Sequence, residues 1–308
     1  MKNLEKTRVV GLGQACVDYL GRIPHYPHED QKIELLDLLR QCGGPASTAL
    51  VTLSRLGIQT VFLGSISDDP FGLEILEGLK KEEVDCRHLK VTPGHTSQFA
   101  FIAVSERRGQ RTIFWHRGSV PHLKRTDVDL SPFSKAEILH LDGLMVEASR
   151  EAARQAKDLG ITVVMDGGTM REGTRELLGF IDVLIASERF AQPLLRPGDP
   201  AEKAVKALRA FGPRTVIVTM GSRGSIGRAG DGKMRVQKAF PVNAVDTTGA
   251  GDVYHGAYIY GMLQGWAMSP CMRFAAACSA LKCQAVGAQQ GIPNLARIRA
   301  LMESHPEI

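Results

Sequence analysis

The sequence has no long hydrophobic run. Nothing in its 308 residues approaches the roughly 18 consecutive apolar positions that a membrane-spanning helix needs. Its opening, MKNLEKTRVVGLG, is a short polar lead into a strand and lacks the apolar segment of a secretory signal. These two absences predict a cytoplasmic protein without a membrane partner. Cysteine is sparse and unpatterned: Cys16, Cys42, Cys86, Cys271, Cys278 and Cys283 form neither CxxC nor the Cys/His spacing of a zinc site, so they read as reduced, mostly buried thiols. Charge of one sign is nowhere concentrated. The net charge of +5 comes from Lys and Arg interspersed with Asp and Glu, which suits a small anionic ligand and speaks against nucleic acid. A dinucleotide fingerprint is also missing. Gly11-Leu12-Gly13 opens like one, but Cys16 stands where the third glycine belongs, and Pro24 and Pro27 follow instead of a helix. There is no internal repeat and no linker, and with 44% hydrophobic residues the chain can bury a large core.

What is present is an alternation of strands and helices. Residues 7–13 read as a buried first strand, and 59–67 as a second. The stretch 42–57, CGGPASTALVTLSRLG, offers two glycines, a Pro fit for a first helical turn, an apolar face at helical spacing and a terminating Gly. Residues 73–83 form an amphipathic helix after the turn 68–72. The period then changes to two: 97–105 and 111–115, joined by a turn at Arg107-Arg108-Gly109, read as a β-hairpin. From Lys135 onward strands at 138–141, 161–166, 181–186 and 215–219 alternate with helices at 147–159 and 201–211, and helices at 253–265 and 271–286 follow. Such alternation predicts a mostly parallel sheet covered on both faces.

The chemistry concentrates in residues 245–257, VDTTGAGDVYHGA. Gly249, Ala250 and Gly251 are small enough for a turn whose free N–H groups converge, and the start of the helix behind them is a ready anion site. Asp252 falls in the first helical turn, where a carboxylate can meet a phosphate and a hydroxyl together. This stretch resembles the second signature of the PfkB, or ribokinase-like, carbohydrate kinases, and 42–57 resembles the first. The likeness runs from the first strand to the terminal helix.

The resemblance implies a three-layer ribokinase-like α/β/α domain over 1–308, with a small β lid inserted from about 19–41 and 96–117. It implies transfer of the γ-phosphoryl of ATP to a sugar hydroxyl with Mg²⁺, and Asp252 as the base beside an anion hole made by Gly249, Ala250 and Gly251. Asp18, at the end of the first strand region, would grip the sugar with Gly43 and Gly44. Thr48 stands where most members carry Asn, and a hydroxyl offers one donor where an amide offers two. Thr219, Gly221, Ser222 and Gly224 resemble the T-x-G-x-x-G loop that lines ATP; a plain β-turn reads equally simply. Ser187 and Glu188 fall where members have N-x-x-E, without its Asn or its Glu in register, so Glu188 and Asp166 are the candidates for Mg²⁺. Asp246 and Thr248, with the loop 287–294, would surround a monovalent cation such as K⁺.

Substrate is less defined. GGPASTA, DTTGAGDVYHGA and ALKC are similar in wording to the sulfofructose kinase branch, but Leu141-Asp142-Gly143-Leu144 lacks the arginine expected for a sulfonate. Lys32 and Arg117 could hold an anionic substituent or be solvated surface charge. The candidates are thus a sugar, a sugar acid or an anionic ketose. A nucleoside kinase on the same fold, or a non-catalytic sugar-binding protein, remains the alternative. Lid edges imply a homodimer.

Overall fold

The computed structural model describes residues 7–106 and 110–308. The expected turn at 107–109 and the polar lead at 1–6 lie outside the described residues. In chain order the first elements are β1 (Val9–Leu12), β2 (Cys16–Ile23), β3 (Asp37–Gly43), α1 (Pro45–Arg55), β4 (Thr60–Leu63), β5 (Ser65–Ile66), α2 (Pro70–Lys81) and β6 (Lys90–Val91). There follow β7 (Phe99–Ser105), β8 (Arg111–His116), β9 (Ile138–Leu141), α3 (Val146–Asp158), β10 (Thr162–Gly167), α4 (Thr174–Leu178), β11 (Val183–Ser187) and α5 (Glu188–Ala191). The last are α6 (Ala201–Arg209), β12 (Thr215–Thr219), β13 (Ser225–Ala229), β14 (Arg235–Gln237), α7 (Ala250–Leu263), α8 (Met268–Lys282) and α9 (Leu295–Glu303).

Eight strands form one sheet in the order β14-β13-β12-β11-β10-β9-β1-β4. It is parallel from β12 to β4; β13 alone runs against the other strands, so its pairings with β12 and β14 are antiparallel. Alternate side chains of each strand separate into two cores. Val9, Ile138, Val164, Ile185 and Ile217 pack with Leu50 of α1, Val253 of α7 and Phe274 of α8. Val10, Leu139, Val163, Leu184 and Val216 pack with Ala152 of α3, Leu177 of α4 and Leu208 of α6 on the other face. A strand buried on both sides has no polar face, which is why these segments read as continuous apolar runs. Each fully buried aliphatic side chain contributes about 1.5–3 kcal/mol, so this double core holds the site in place.

A second sheet, β3-β2-β7-β8, is built from the two segments on either side of α1 and α2. β2 and β7 are parallel and the outer pairs antiparallel, so the hairpin expected at 97–115 is present as β7 and β8. Several boundaries differ from the sequence expectation, among them α2, which starts at Pro70, and α7, which starts at Ala250; two others have a visible cause. The strand at 59–67 is interrupted at Gly64, where a Cβ would stand 2.6 Å from the Phe62 ring and 3.0 Å from the Gly13 carbonyl. The helix expected at 271–286 instead spans 268–282, because the Cys283 carbonyl accepts the Val245 and Asp246 N–H groups. Among the described residues no helix is long and apolar enough to cross a membrane.

Candidate functional site

The parallel strands deliver polar residues in a row at their C-terminal ends. Gly13 follows β1, Asp142 follows β9, Asp166 lies near the end of β10, Ser187 ends β11 and Thr219 ends β12. In open α/β sheets this edge is where ligands bind. α7 begins above it. Gly249 has φ 73°, and a Cβ there would stand 2.5 Å from Ala288 Cβ, so only glycine makes this turn. Asp246 tightens the turn by accepting from Thr248 N at 2.8 Å and from Thr248 Oγ1 at 2.7 Å. The amides of Gly251 and Asp252 belong to the first turn of α7, where N–H groups have no intrahelical acceptor.

Asp252 is half-buried at this helix start. Burial raises its carboxyl pKa, the neighbouring Asp166 raises it further and Asp18 adds a little; His255 and Arg111 pull it down, leaving it at about 6. Asp166 is itself raised, first by burial, and lies 3.5 Å from His255 Nε2. His255 also meets the Gly251 carbonyl through Nδ1 at 2.6 Å and the Ile185 carbonyl through Nε2 at 3.1 Å. It therefore links the first turn of α7 to β10 and β11.

The sugar-side residues come from the small sheet and α1. Asp18 is 4% exposed, accepts from Cys16 Sγ at 3.1 Å and has a pKa raised to about 6, chiefly by burial and in part by Asp246. Gly43 lies against it so closely that a Cβ would overlap Asp18 Oδ2. Gly44 caps α1 with φ 103°, a conformation side chains resist, and a Cβ would meet the Gln14 carbonyl at 2.6 Å. Thr48 is buried, and its Oγ1 has no partner among the described residues. Asp142 accepts the N–H groups of Gln14 and Leu144, which fixes the loop between β1 and β2.

On the nucleotide side Met220 N donates to the Gly224 carbonyl, and Gly221 and Gly224 have φ 58° and 87°. The resulting loop leaves Gly221 and Ser222 exposed beside half-buried Thr219. Ser187 caps α5, accepting from Phe190 N at 3.2 Å and donating to the Gly168 carbonyl at 3.0 Å. Glu188 is exposed and paired with Arg223, so a guanidinium faces the carboxylate expected to serve Mg²⁺. Asp166 is the better-placed carboxylate. No group of three or more His, Cys, Asp or Glu among the described residues could hold a metal by itself. A single carboxylate such as Asp166 suits Mg²⁺, which is commonly held by one or two carboxylates together with substrate phosphates.

Lys32 and Arg117 are not brought in. Lys32 is exposed in the loop between β2 and β3. Arg117 is turned toward His122, donating to its Nε2 at 3.0 Å, and toward the Val120 carbonyl. Two residues absent from the sequence expectations do come in. Arg111, at the start of β8, donates to Thr247 Oγ1 at 2.8 Å and so joins the small sheet to the anion-binding turn. Gln41 is paired in register with Asp18, is 8% exposed, and has no partner for either amide atom among the described residues. Its signal in sequence was a long polar residue in a strand next to a glycine pair.

Residues 6–295 match the pfkB family carbohydrate kinase pattern. The ribokinase of Haemophilus influenzae is 28% identical over 301 residues, covering 94% of this chain and 96% of that protein. The 5-dehydro-2-deoxygluconokinase of Clostridium perfringens is 25% identical over 324 residues, covering 98% and 94%. Among solved structures, Arabidopsis thaliana ribokinase complexed with ribose and ATP superposes with a TM-score of 0.83 at 26% identity, covering 96% of this chain and 99% of that one. This chain belongs to the pfkB family of carbohydrate kinases, phosphotransferases that use an alcohol group as acceptor.

Proposed function

We propose that this protein transfers the γ-phosphoryl group of ATP to a hydroxyl of a sugar or sugar acid, with Asp252 as the general base. One observation carries the reading: Asp252 stands in the first turn of α7, immediately after a turn that only glycine can make, with Asp166 and Asp18 close enough to perturb it. Phosphoryl transfer asks a protein for position and charge neutralisation rather than covalent chemistry. Asp252 takes the hydroxyl proton as the new O–P bond forms and ADP leaves. The turn Gly249-Ala250-Gly251 and the helix start face the oxygens of the moving phosphoryl group, and Arg111 adds a positive charge from the small sheet. Asp18, Gly43-Gly44 and Thr48 hold the sugar. Thr219, Gly221, Ser222 and Gly224 line the nucleotide, with Ser187 beside them. Asp166 would hold Mg²⁺, which would supply positive charge to neutralise the phosphates.

The whole chain works as one domain in this reading, with the sheet β3-β2-β7-β8 as a lid. Closing it excludes water, the competing phosphoryl acceptor. The face of this sheet opposite Asp18 and Gln41 carries Leu38 and Phe114, 57% and 58% exposed, which supports a homodimer through that face. The names of the relatives support a sugar or sugar acid. Lys32 is exposed in its loop and Arg117 is engaged with His122, so neither supports a phosphate or sulfonate on the acceptor. ATP consumption with Mg²⁺ across free sugars, sugar acids, phosphorylated ketoses, sulfofructose and nucleosides tests the reading. One strong acceptor confirms the transfer and names it; a nucleoside would displace the sugar, and silence with sugar binding intact would favour a binding protein.

Two further outcomes follow from the same geometry. As a base, Asp252 must be ionised, and its raised pKa moves the loss of the ionised form up to about 6. The kcat/KM profile for the acceptor should therefore climb with pH through about 6 and level above it. An acidic limb near the ordinary carboxylate value would remove Asp252 from the role. Gln41→Leu should raise KM for the acceptor about tenfold, the worth of one hydrogen bond to a buried amide, and leave KM for ATP unchanged. An unchanged acceptor KM would show that the Gln41 amide does not meet the sugar.

A further inference from the structure

A lysine is buried directly behind the anion-binding turn. Lys282, the last residue of α8, has no exposed surface, and its Nζ donates to the main-chain oxygen of Asp246 at 2.7 Å. Burying an ammonium is costly unless acceptors and opposite charge surround it. Burial lowers the Lys282 ammonium pKa and Arg111 adds to that, while Asp246 and, more weakly, Asp252 favour the charged form. The end of α8 holds the turn in two further ways: the Cys283 carbonyl accepts from Val245 N and Asp246 N at 2.7 and 3.2 Å, and Ser279 Oγ donates to the Ala250 carbonyl at 2.8 Å.

Asp246 and Thr248 are also the residues that the family resemblance offers to a monovalent cation. Their atoms are largely engaged within the protein. Oδ1 of Asp246 accepts two hydrogen bonds from Thr248 and Oδ2 accepts one from Gly287 N at 2.8 Å, so an added cation would share oxygens that already carry donors. The remaining oxygen of Asp246, its carbonyl, already holds the Lys282 ammonium. A positive charge is thus built into the position by the chain itself.

We infer that Lys282 is the internal cation of the anion-binding turn, a positioning residue that fixes the Asp246 carbonyl, sets permanent positive charge behind the phosphoryl site, and frees the enzyme from any need for K⁺. This rests on the kinase reading above. Lys282 reaches the turn and not the substrate, so its effect falls on kcat more than on either KM.

The test compares turnover in choline chloride, NaCl and KCl at equal ionic strength, with Mg-ATP and the acceptor identified by the panel. Wild-type rates should agree within about twofold across the three salts. Lys282→Met, of similar length but uncharged, should lose about 10²-fold in kcat, the scale of one lost oxyanion donor. In Lys282→Ala the vacated space should let KCl restore about tenfold of that loss relative to choline. Stimulation of the wild type by K⁺ of about tenfold or more would overturn the inference, and so would full kcat in Lys282→Met. Melting of the wild type in the same salts gives a reading that needs neither a variant nor an acceptor. Equal melting temperatures support the internal cation, and a rise specific to K⁺ refutes it. Failure to phosphorylate any acceptor would instead bring down the kinase reading and leave this salt comparison intact.

Discussion

Asp252→Asn is expected to lower kcat by about 10² to 10⁴, the range lost when a general base is removed, while the protein melts within a few degrees of the wild type. The side chains are isosteric, so packing at the start of α7 is kept. Two electrostatic changes oppose each other. A carboxylate in the first turn of a helix stabilises the dipole by about 0.3–1 kcal/mol, and Asn gives that up. Against this, Asn relieves the repulsion with Asp166 and Asp18 that raises the carboxyl pKa. Burial raises that pKa most of all, so the relief outweighs the lost dipole term and the variant should melt no lower than the wild type. KM for ATP should stay constant or fall, because one negative charge facing the phosphates is gone. Turnover within tenfold of wild type would mean that another group accepts the proton, and Asp166 would be the residue to examine next.

The parts of this site that are adjacent in sequence were legible there, and those assembled across the fold were not. Gly249, Ala250, Gly251 and Asp252 form one local backbone feature, a glycine turn and the helix start behind it, so their spacing was readable. Gly43-Gly44-Pro45 spelled the entry to α1 for the same reason. The parallel sheet was legible because strands buried on both faces are apolar throughout, whereas β13 and β14 passed unseen: one is five residues with a central Gly, and the other is three residues, two of them exposed. Arg111 reaches Thr247 across 136 positions, and Lys282 reaches Asp246 across 36. No periodicity encodes such pairings. Lys282 did leave a trace, as a lone charge in the small-residue run FAAACSALKC, whose close packing leaves a side chain nowhere to reach water. Glu188 shows the opposite failure. A carboxylate at the right position in the chain is paired in the fold with Arg223, which spacing could not reveal.

Asp18→Ala should separate the sugar grip from stability, and in opposite directions. Hydrogen bonds to a charged group contribute about 1.5–3 kcal/mol each, so losing two sugar hydroxyl contacts should cut kcat/KM for the acceptor by about 10²- to 10⁴-fold, with KM for ATP unchanged. Without sugar, however, Asp18 is a liability. Among the described residues its hydrogen-bond donor is the Cys16 thiol, and burial has raised its pKa from 3.8 to about 6. A carboxyl whose folded pKa is raised binds protons more readily in the folded state, so it destabilises the fold at pH values above the folded pKa, and that cost fades as pH falls through about 6. Removing the group should therefore raise the melting temperature of the sugar-free protein at pH 8, where the charge is present, and gain less at pH 5, where it is largely neutralised. Melting curves of both proteins at the two pH values, with and without the acceptor, measure this directly. If the variant melts lower than wild type at pH 8, the buried charge is already compensated within the protein, and Asp18 is a structural residue rather than a poised ligand for the sugar.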